Sequence, residues 1–256
     1  MGIIDFHTHL ADRWFAQPLM TEEDYIAGLD RAGVEIACVM TLMGFYEDCR
    51  AHNDLLAAAA RRHPGRLIPF ATVDPKVGPL ALRELERRLA DPVFGGVKLH
   101  PWCQAFACSM VQETMTGILK LAAQRDVPVL FHDGTPPYAT TFQIAAVARS
   151  APEARVILGH AGLADYGVAA AQLVRDVPNL YAGFCGPKVG DLLHLLAVAG
   201  ADKVVWGSDY GATDWSILPE RLDDVLCAGL GAAIQEQLLR SNAARLLHLE
   251  EAVVCQ

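Results

Sequence analysis

Short apolar segments alternate with amphipathic segments along the whole chain. Eight of the apolar segments are rich in β-branched or aromatic residues and are bounded by Gly, Pro or Asp, a pattern typical of β-strands. Their apolar character is nearly continuous, as expected of parallel strands that are covered on both faces. The predicted strands are Ile3–His9, Ile36–Leu42, Leu67–Val73, Gly96–His100, Val127–His132, Arg155–His160, Leu180–Phe184 and Val204–Ser208.

The amphipathic segments between these strands predict α-helices. Within Leu80–Leu89, apolar residues recur at spacings of three and four, and charged residues fill most of the other positions. Thr21 precedes three acidic residues in the manner of an N-terminal cap, and Gly33 follows the end of that segment. Further helices are predicted at Asn53–Arg62, Val111–Gln124, Phe142–Ser150, Gly167–Arg175, Val189–Val198, Pro219–Cys227, Ala232–Arg240 and Asn242–His248.

Eight β-α units in strict alternation predict a parallel sheet with helices outside it. The length of 256 residues is close to the roughly 250 residues of a complete barrel. An open, doubly wound sheet is the competing architecture, but no Gly-x-Gly-x-x-Gly fingerprint follows the first strand. We therefore predict an α/β protein, a (β/α)8 TIM barrel with extra C-terminal helices, formed by residues 1–256 as one domain.

Composition and charge narrow the function classes. The net charge is −9 and no run of Lys or Arg stands out, which argues against nucleic-acid and anionic-membrane partners. No apolar segment approaches the ~20 residues of a membrane span, and the N-terminus lacks a signal-peptide pattern. The seven cysteines form no CxxC pair and several lie in apolar segments, which favours buried free thiols over a cysteine metal site. We expect a cytoplasmic protein with a small-molecule substrate, and a homodimer is compatible with this.

Residues that can bind a metal or transfer a proton lie at the ends of five predicted strands. In a parallel barrel all strand C-termini open on one face, where the active sites of this fold lie. Residues far apart in the chain are therefore expected to meet at one mouth. They are His7, His9, His100, His132, His160 and Asp209.

His7 and His9 point to the same face of the first strand, because strand side chains alternate, and could share an ion. An HxH pair alone is a weak signal, but its position at a strand end strengthens it. Asp5 has the same parity. Either it orients a ligand from deeper in the barrel, or it is an ordinary hydrogen-bonding residue at a strand end.

His132, His160 and Asp209 each have a structural and a chemical interpretation. A histidine after a buried strand is usually a hydrogen-bonded core residue, but a third imidazole at this rim favours a ligand role for His132. His160 could be a ligand or an acid/base residue. Asp209 could cap the next helix, or it could complete a nitrogen and oxygen ligand set suited to Zn²⁺.

The remaining candidates would contact a substrate. Lys98 and His100 share a face, and an inward lysine is costly unless it is paired or functional. Aromatic side chains at the rim suggest a flat, partly apolar substrate, although loops packing on one another would give the same pattern. Arg13 and Lys188 are the obvious rim cations, which disfavours a polyanionic substrate. The predicted substrate-binding residues are His100, Lys98, Trp102, Tyr138 and Tyr210, and the other rim aromatics are Trp14, Phe15, Phe106, Phe184 and Trp215.

The sequence resembles the amidohydrolase superfamily, in the branch that contains aminocarboxymuconate-semialdehyde decarboxylase and γ-resorcylate decarboxylase. The motifs that carry the resemblance are DFHTHL, GGVKLHP, VLFHDG, ILGHAG, WGSDYG and NAARLL. The resemblance implies one metal ion, held as in similar mononuclear members by His7, His9, His132 and Asp209. It also implies that His160 is a catalytic residue beside the metal water. Lys98 could imitate the carboxylated lysine of binuclear relatives, but the KLHP context favours one metal.

The expected function is hydrolysis of an amide, ester or lactone by metal-activated water, with Zn²⁺ as the expected ion and Mn²⁺ as its alternative. Asp209 would accept the proton of the water, and His160 would polarise the carbonyl group. Metal-dependent decarboxylation of an aromatic or unsaturated carboxylic acid is the alternative, because the same residues could protonate a carbon. A metal-free lactonase and an inactive metal-binding barrel are the remaining hypotheses.

Overall fold

Eight parallel strands hydrogen-bond in chain order in the computed structural model, which describes residues 2–10, 20–212 and 216–249. The Asp209 amide donates to the His7 carbonyl (2.8 Å) and the His9 amide to the Tyr210 carbonyl (2.7 Å), which joins the last strand to the first. The predicted barrel is confirmed. Its strands are β1 (Ile3–His9), β2 (Val34–Met40), β3 (Leu67–Ala71), β4 (Gly96–Leu99), β5 (Val129–Phe131), β6 (Val156–Leu158), β7 (Leu180–Phe184) and β8 (Val204–Trp206).

One main α-helix follows each strand, and two short helices follow the last of these. Thr21 accepts a hydrogen bond from the Asp24 amide (3.1 Å), which confirms the predicted cap. In the part of the chain that the structure describes, no helix is long and apolar enough to cross a membrane. The helices are α1 (Glu22–Arg31), α2 (Cys49–Arg62), α3 (Pro79–Leu89), α4 (Gln112–Gln124), α5 (Thr141–Ser150), α6 (Leu163–Asp176), α7 (Val189–Ala199), α8 (Ile217–Leu226), α9 (Ala232–Glu236) and α10 (Asn242–Leu246).

Several strands end earlier than the sequence predicts. Strand β5 ends at Phe131, β6 at Leu158 and β8 at Trp206, so His132, His160 and Asp209 lie in the loops that follow. After β6 and β8, side chains accept the backbone amides in place of the neighbouring strand. The His160 amide donates to Asp133 Oδ1 (2.7 Å) and the Ser208 amide to Asp5 Oδ1 (3.1 Å). The candidate site is thus built on the first residues of loops as well as on strands.

The barrel interior is apolar in its amino-terminal half. Asn242 at the start of α10 donates to the carbonyl of Val204, the first residue of β8 (2.7 Å), so α10 covers this end of the barrel. A second and larger core lies between the strands and the surrounding helices. The inner cluster comprises Ile4, Phe6, Cys38, Met40, Phe70, Leu130, Ile157, Val205, Ala243, Ala244 and Leu246.

Candidate metal centre and active site

Two histidines and an aspartate meet at the carboxyl-terminal mouth of the barrel. His9 Nε2 lies 3.1 Å from Asp209 Oδ1, and His7 Nε2 lies 3.6 Å from the same oxygen. The ligand atoms of the three residues all lie within 4.8 Å of one another, and both histidines are buried. Three of the four predicted metal ligands are therefore brought together.

Backbone carbonyl groups fix which ring nitrogen of each histidine faces the site. His7 Nδ1 contacts the Gly159 carbonyl (3.4 Å) and His9 Nδ1 contacts the Thr41 carbonyl (3.3 Å). A carbonyl oxygen can only accept, so each neutral ring carries its hydrogen on Nδ1 and directs the Nε2 lone pair towards Asp209. Two acceptor atoms then face each other at 3.1 Å, an arrangement that requires a cation between them, either a proton or a metal ion.

The loop after β8 directs the carboxylate of Asp209 into the mouth. Asp209 has a positive φ of 63°, which is unusual for a residue other than glycine. Gly211 lets this loop approach β1, since a Cβ atom there would lie 1.7 Å from the His9 carbonyl oxygen. Burial alone would raise the pKa of Asp209, but the hydrogen bond with His9 and the positive charge that the imidazoles of His7, His160 and His9 carry when protonated hold it well below its usual range. Helix α8 begins at Ile217, so Asp209 does not cap it.

Asp5 ties β1 to β8 instead of orienting an imidazole. Its Oδ1 accepts from the amides of His7 and Ser208 (both 3.1 Å), and its Oδ2 accepts from Ser208 Oγ (2.5 Å). The predicted shared parity of Asp5, His7 and His9 is broken by a register shift between Asp5 and Thr8 in the pairing with β2. Burial raises the pKa of Asp5 to about 7. The strand-end interpretation of Asp5 therefore fits the structure.

His132 lies in the mouth but apart from the three close ligands. Its Nε2 is 2.8 Å from Thr135 Oγ1, and its ring stacks on His100 with a centroid distance of 3.8 Å. The edge of the same ring meets His160 at a centroid distance of 4.6 Å. Neither of the two groups of close ligand atoms includes His132, so its ligand role stays a prediction.

His160 is held in place by its backbone and by one ring nitrogen. Its Nδ1 lies 2.8 Å from the Cys185 carbonyl, so the neutral ring presents the Nε2 lone pair on its other side. Asp133 accepts the amides of His160 and Gly162, both at 2.7 Å. Burial lowers the pKa of His160, which favours the neutral ring. Asp133 was not among the predicted site residues, although it directly follows His132 at the end of a strand.

Lys98 brings a buried amino group to the same cluster. Its side chain is 1% exposed, and its Nζ lies 2.8 Å from His7 Nε2. Burial lowers the pKa of Lys98 to about 8. Among the described residues, no carboxylate lies within salt-bridge distance of Nζ.

The amidohydrolase family model matches residues 4–249. This chain belongs to the amidohydrolase family. A comparison with curated protein sequences finds no match. Solved structures that resemble this amidohydrolase include 2,6-dihydroxybenzoate decarboxylase from Rhizobium, with 16% identity over 97% of this chain and 99% of the other and a TM-score of 0.79.

Two further decarboxylase structures share the fold of this amidohydrolase. The 5-carboxyvanillate decarboxylase from Sphingomonas paucimobilis has 13% identity and a TM-score of 0.79, over 96% of this chain and 99% of the other. The dihydroxybenzoic acid decarboxylase from Polaromonas sp. JS666, with bound manganese and the inhibitor 2-nitroresorcinol, has 18% identity and a TM-score of 0.75, over 97% of both chains. At these identities the likeness shows the fold.

The predicted substrate-binding residues of this amidohydrolase lie in different places relative to the mouth of the barrel. His100 lines the mouth, where its Nδ1 accepts the Cys103 amide (3.2 Å) and its Nε2 lies 3.3 Å from Cys103 Sγ. Trp102 (45% exposed) and Tyr138 (36% exposed) lie on the loops after β4 and β5. Both loops follow carboxyl ends of strands, so these two residues remain candidates for contact with a substrate.

Tyr210 does not face the mouth, which corrects the prediction. Its ring is 1% exposed and stacks on Tyr25 of α1 with a centroid distance of 5.2 Å. The backbone of Tyr210 pairs with Thr8, whose hydroxyl contacts Tyr25, so both side chains point towards the helices. Phe106 and Phe184 are likewise buried in the outer core. Arg13, Trp14, Phe15 and Trp215 lie outside the described residues.

Proposed function

We propose that this amidohydrolase is a metal-dependent enzyme that decarboxylates an aromatic carboxylic acid without net oxidation or reduction. The observation that carries this proposal is the buried amino group of Lys98 beside His7, with no carboxylate partner among the described residues. The decarboxylases that share the fold support it further. Their substrates are hydroxylated aromatic acids by name, which is the class we infer here.

His7, His9 and Asp209 fit a divalent ion. Two imidazole nitrogens and one carboxylate oxygen are a donor set that suits Zn²⁺ and is compatible with Mn²⁺. His9 Nε2 and Asp209 Oδ1, 3.1 Å apart, can be bridged by a proton or by such an ion. When bound, the ion supplies a Lewis acid that holds an oxygen atom of the substrate.

Lys98 distinguishes acidic from neutral substrates. A buried ammonium group is costly unless an anion or a set of hydrogen-bond acceptors compensates it. Without an ion, His7 Nε2 supplies one acceptor at 2.8 Å, and the charge of Asp209 acts on Lys98 from beyond salt-bridge distance. An ion held by His7 and Asp209 would take that lone pair and offset that charge. A substrate carboxylate at the mouth would supply the charge. The scarcity of rim cations in the sequence favoured a neutral substrate, and this buried cation outweighs that argument.

Asp209 and His160 would move and hold protons during the reaction. In decarboxylation the bond between the ring carbon and the carboxylate breaks, carbon dioxide leaves, and the electron pair on the ring carbon takes up a proton. Asp209, held in its ionised form, can accept a proton from a substrate hydroxyl group or from water and deliver it to that carbon. The Nε2 lone pair of His160 can accept a hydrogen bond from a substrate hydroxyl group.

Hydrolysis of a neutral amide, ester or lactone is the second candidate, and it is the one that the sequence favoured. The observation that supports it is the same ionised carboxylate, because Asp209 could take the proton of an attacking water molecule. A neutral substrate brings no negative charge to Lys98, which could act only on the oxyanion that develops during hydrolysis. An assay of both substrate classes on one preparation therefore separates the candidates.

The test compares Lys98→Met with Lys120→Met, a control at an exposed lysine of α4. The metal-reconstituted proteins are assayed for carbon dioxide release from hydroxybenzoic acids and for hydrolysis of lactones, esters and amides. We expect decarboxylation, with KM raised about 10- to 100-fold by Lys98→Met because a hydrogen bond to a charged group is lost. Lys120→Met should behave as wild type.

Metal content is measured on the same preparations, because Lys98 contacts His7. Hydrolysis of neutral substrates that Lys98→Met leaves unchanged, without any carbon dioxide release, would contradict the decarboxylase proposal. Two bound ions per chain would instead place Lys98 among the metal ligands.

A further inference from the structure

The thiol of Cys185 lies in the wall of the mouth, beside His7 and His160. Along β7, Leu180, Ala182 and Phe184 pack in the outer core against the helices. Because strand side chains alternate, Cys185, which directly follows Phe184, continues the row that faces the barrel axis. It stands at the carboxyl end of that row and is fully buried.

Two imidazoles surround this thiol. The ligand atoms of His7, His160 and Cys185 all lie within 4.8 Å of one another. His7 also belongs to the group with His9 and Asp209, so a thiol and a carboxylate flank the same imidazole. Burial raises the pKa of the Cys185 thiol well above its usual value, and Asp209 and Lys98 are close enough for their charges to act on it as well. The neighbours of Cys185 are therefore polar.

Cys38 gives the contrast within the same barrel. It is also fully buried and faces the interior, but it lies in the inner cluster among side chains such as Ile4, Phe6 and Met40. A free cysteine in such surroundings behaves as a small apolar residue. Among the described residues, no apolar cluster includes Cys185, so packing alone does not explain it.

We propose that the Cys185 thiolate is a ligand of the metal ion and that this ligand makes the site prefer Zn²⁺ to Mn²⁺. The inference rests on the metal ion of the proposed function and adds a ligand to it. Thiolates are soft ligands that select Zn²⁺, whereas carboxylate, carbonyl and water oxygens suit Mn²⁺. On binding, the thiol proton passes to solvent and the sulfur donates its electron pair to the ion.

The test uses the full-length protein loaded with Co²⁺, which replaces Zn²⁺ and reports its ligands by absorption. A thiolate ligand gives an intense charge-transfer band in the near ultraviolet. We expect this band in wild type, and we expect Cys185→Ser to lose it while one Co²⁺ still binds through the remaining ligands. Cys103→Ser is the matched control, since Cys103 is also a buried thiol at the mouth and contacts His100; it should keep the band.

Wild type alone decides the ligation, even if Cys185→Ser does not fold. One bound Co²⁺ without the band would overturn the role of Cys185 and leave the metal centre intact. A protein that binds no ion would contradict the proposed function itself. For the metal preference, competition between Zn²⁺ and Mn²⁺ should shift about 10-fold or more towards Mn²⁺ in Cys185→Ser, because even the loss of a group that only supports a ligand changes metal affinity by about 10-fold. An unchanged ratio would overturn the preference.

Discussion

The two ends of the barrel interior contrast in chemistry although the same strands build both. The amino-terminal half is filled by apolar side chains such as Phe6, Phe70 and Ile157. The carboxyl-terminal half buries His7 and Lys98 together with other ionisable groups. Buried apolar side chains stabilise the fold without needing specific partners. Buried polar groups lower the stability of the fold unless each has a hydrogen-bond or charge partner. The amino-terminal half of the interior therefore maintains the barrel, and the carboxyl-terminal half is arranged for an ion and a substrate.

The strongest test of this contrast is Asp209→Asn. Asparagine keeps the shape and one oxygen but removes the charge and basicity, so the ion should be retained at least in part. Turnover should fall by about 10²- to 10⁴-fold, the range typical of losing general acid–base catalysis. Metal content, Tm and turnover are measured on one preparation. Turnover close to wild type would remove Asp209 from the chemistry.

A pair of substitutions separates the roles of two neighbouring histidines. If His160 acts on the substrate, His160→Asn should lower turnover by about 10²-fold while the protein keeps its metal. If His132 is a ligand, His132→Asn should lose both metal and activity. Elemental analysis of the two variants checks this. Equal metal loss in both would make His160 a ligand, and full retention in both would leave His132 hydrogen-bonded to Thr135.

The sequence is sufficient to predict the barrel and most of the mouth because both follow from short-range periodicity. Strand ends share one face in a parallel barrel, which is why the positions of His7, His9 and Asp209 along the chain predict that they meet. The same rule applied to β7 would have found Cys185, since it directly follows Phe184 at the end of that strand. Its apolar surroundings in the chain favoured a core thiol instead, and only the neighbouring imidazoles distinguish it from one.

The predictions for Asp5 and Tyr210 fail because the side chains there do not follow the regular alternation of a strand. The register shift between Asp5 and Thr8 separates Asp5 from the row of His7, and no local sequence pattern announces it. Tyr210 was expected at the mouth because it follows Asp209, but the loop turns it towards Tyr25. Such positions depend on tertiary contacts between β1, β8 and α1.

The smallest expected effects come from two inward-facing positions of one strand segment, Ile157 on β6 and Gly159 just after it. Ile157→Val removes one methyl group from the inner cluster and should lower the free energy of unfolding by about 1 kcal/mol, with metal content unchanged. In Gly159→Ala, the new Cβ would lie 2.6 Å from the Phe131 carbonyl oxygen and 3.2 Å from His7 Cε1. The backbone of Gly159 must shift away from Phe131, whose carbonyl accepts the Gly159 amide, and His7 should move with it, which weakens metal binding. Denaturant unfolding and metal titration of both variants provide the comparison. Loss of metal by Ile157→Val would show that the two halves of the interior are not separable.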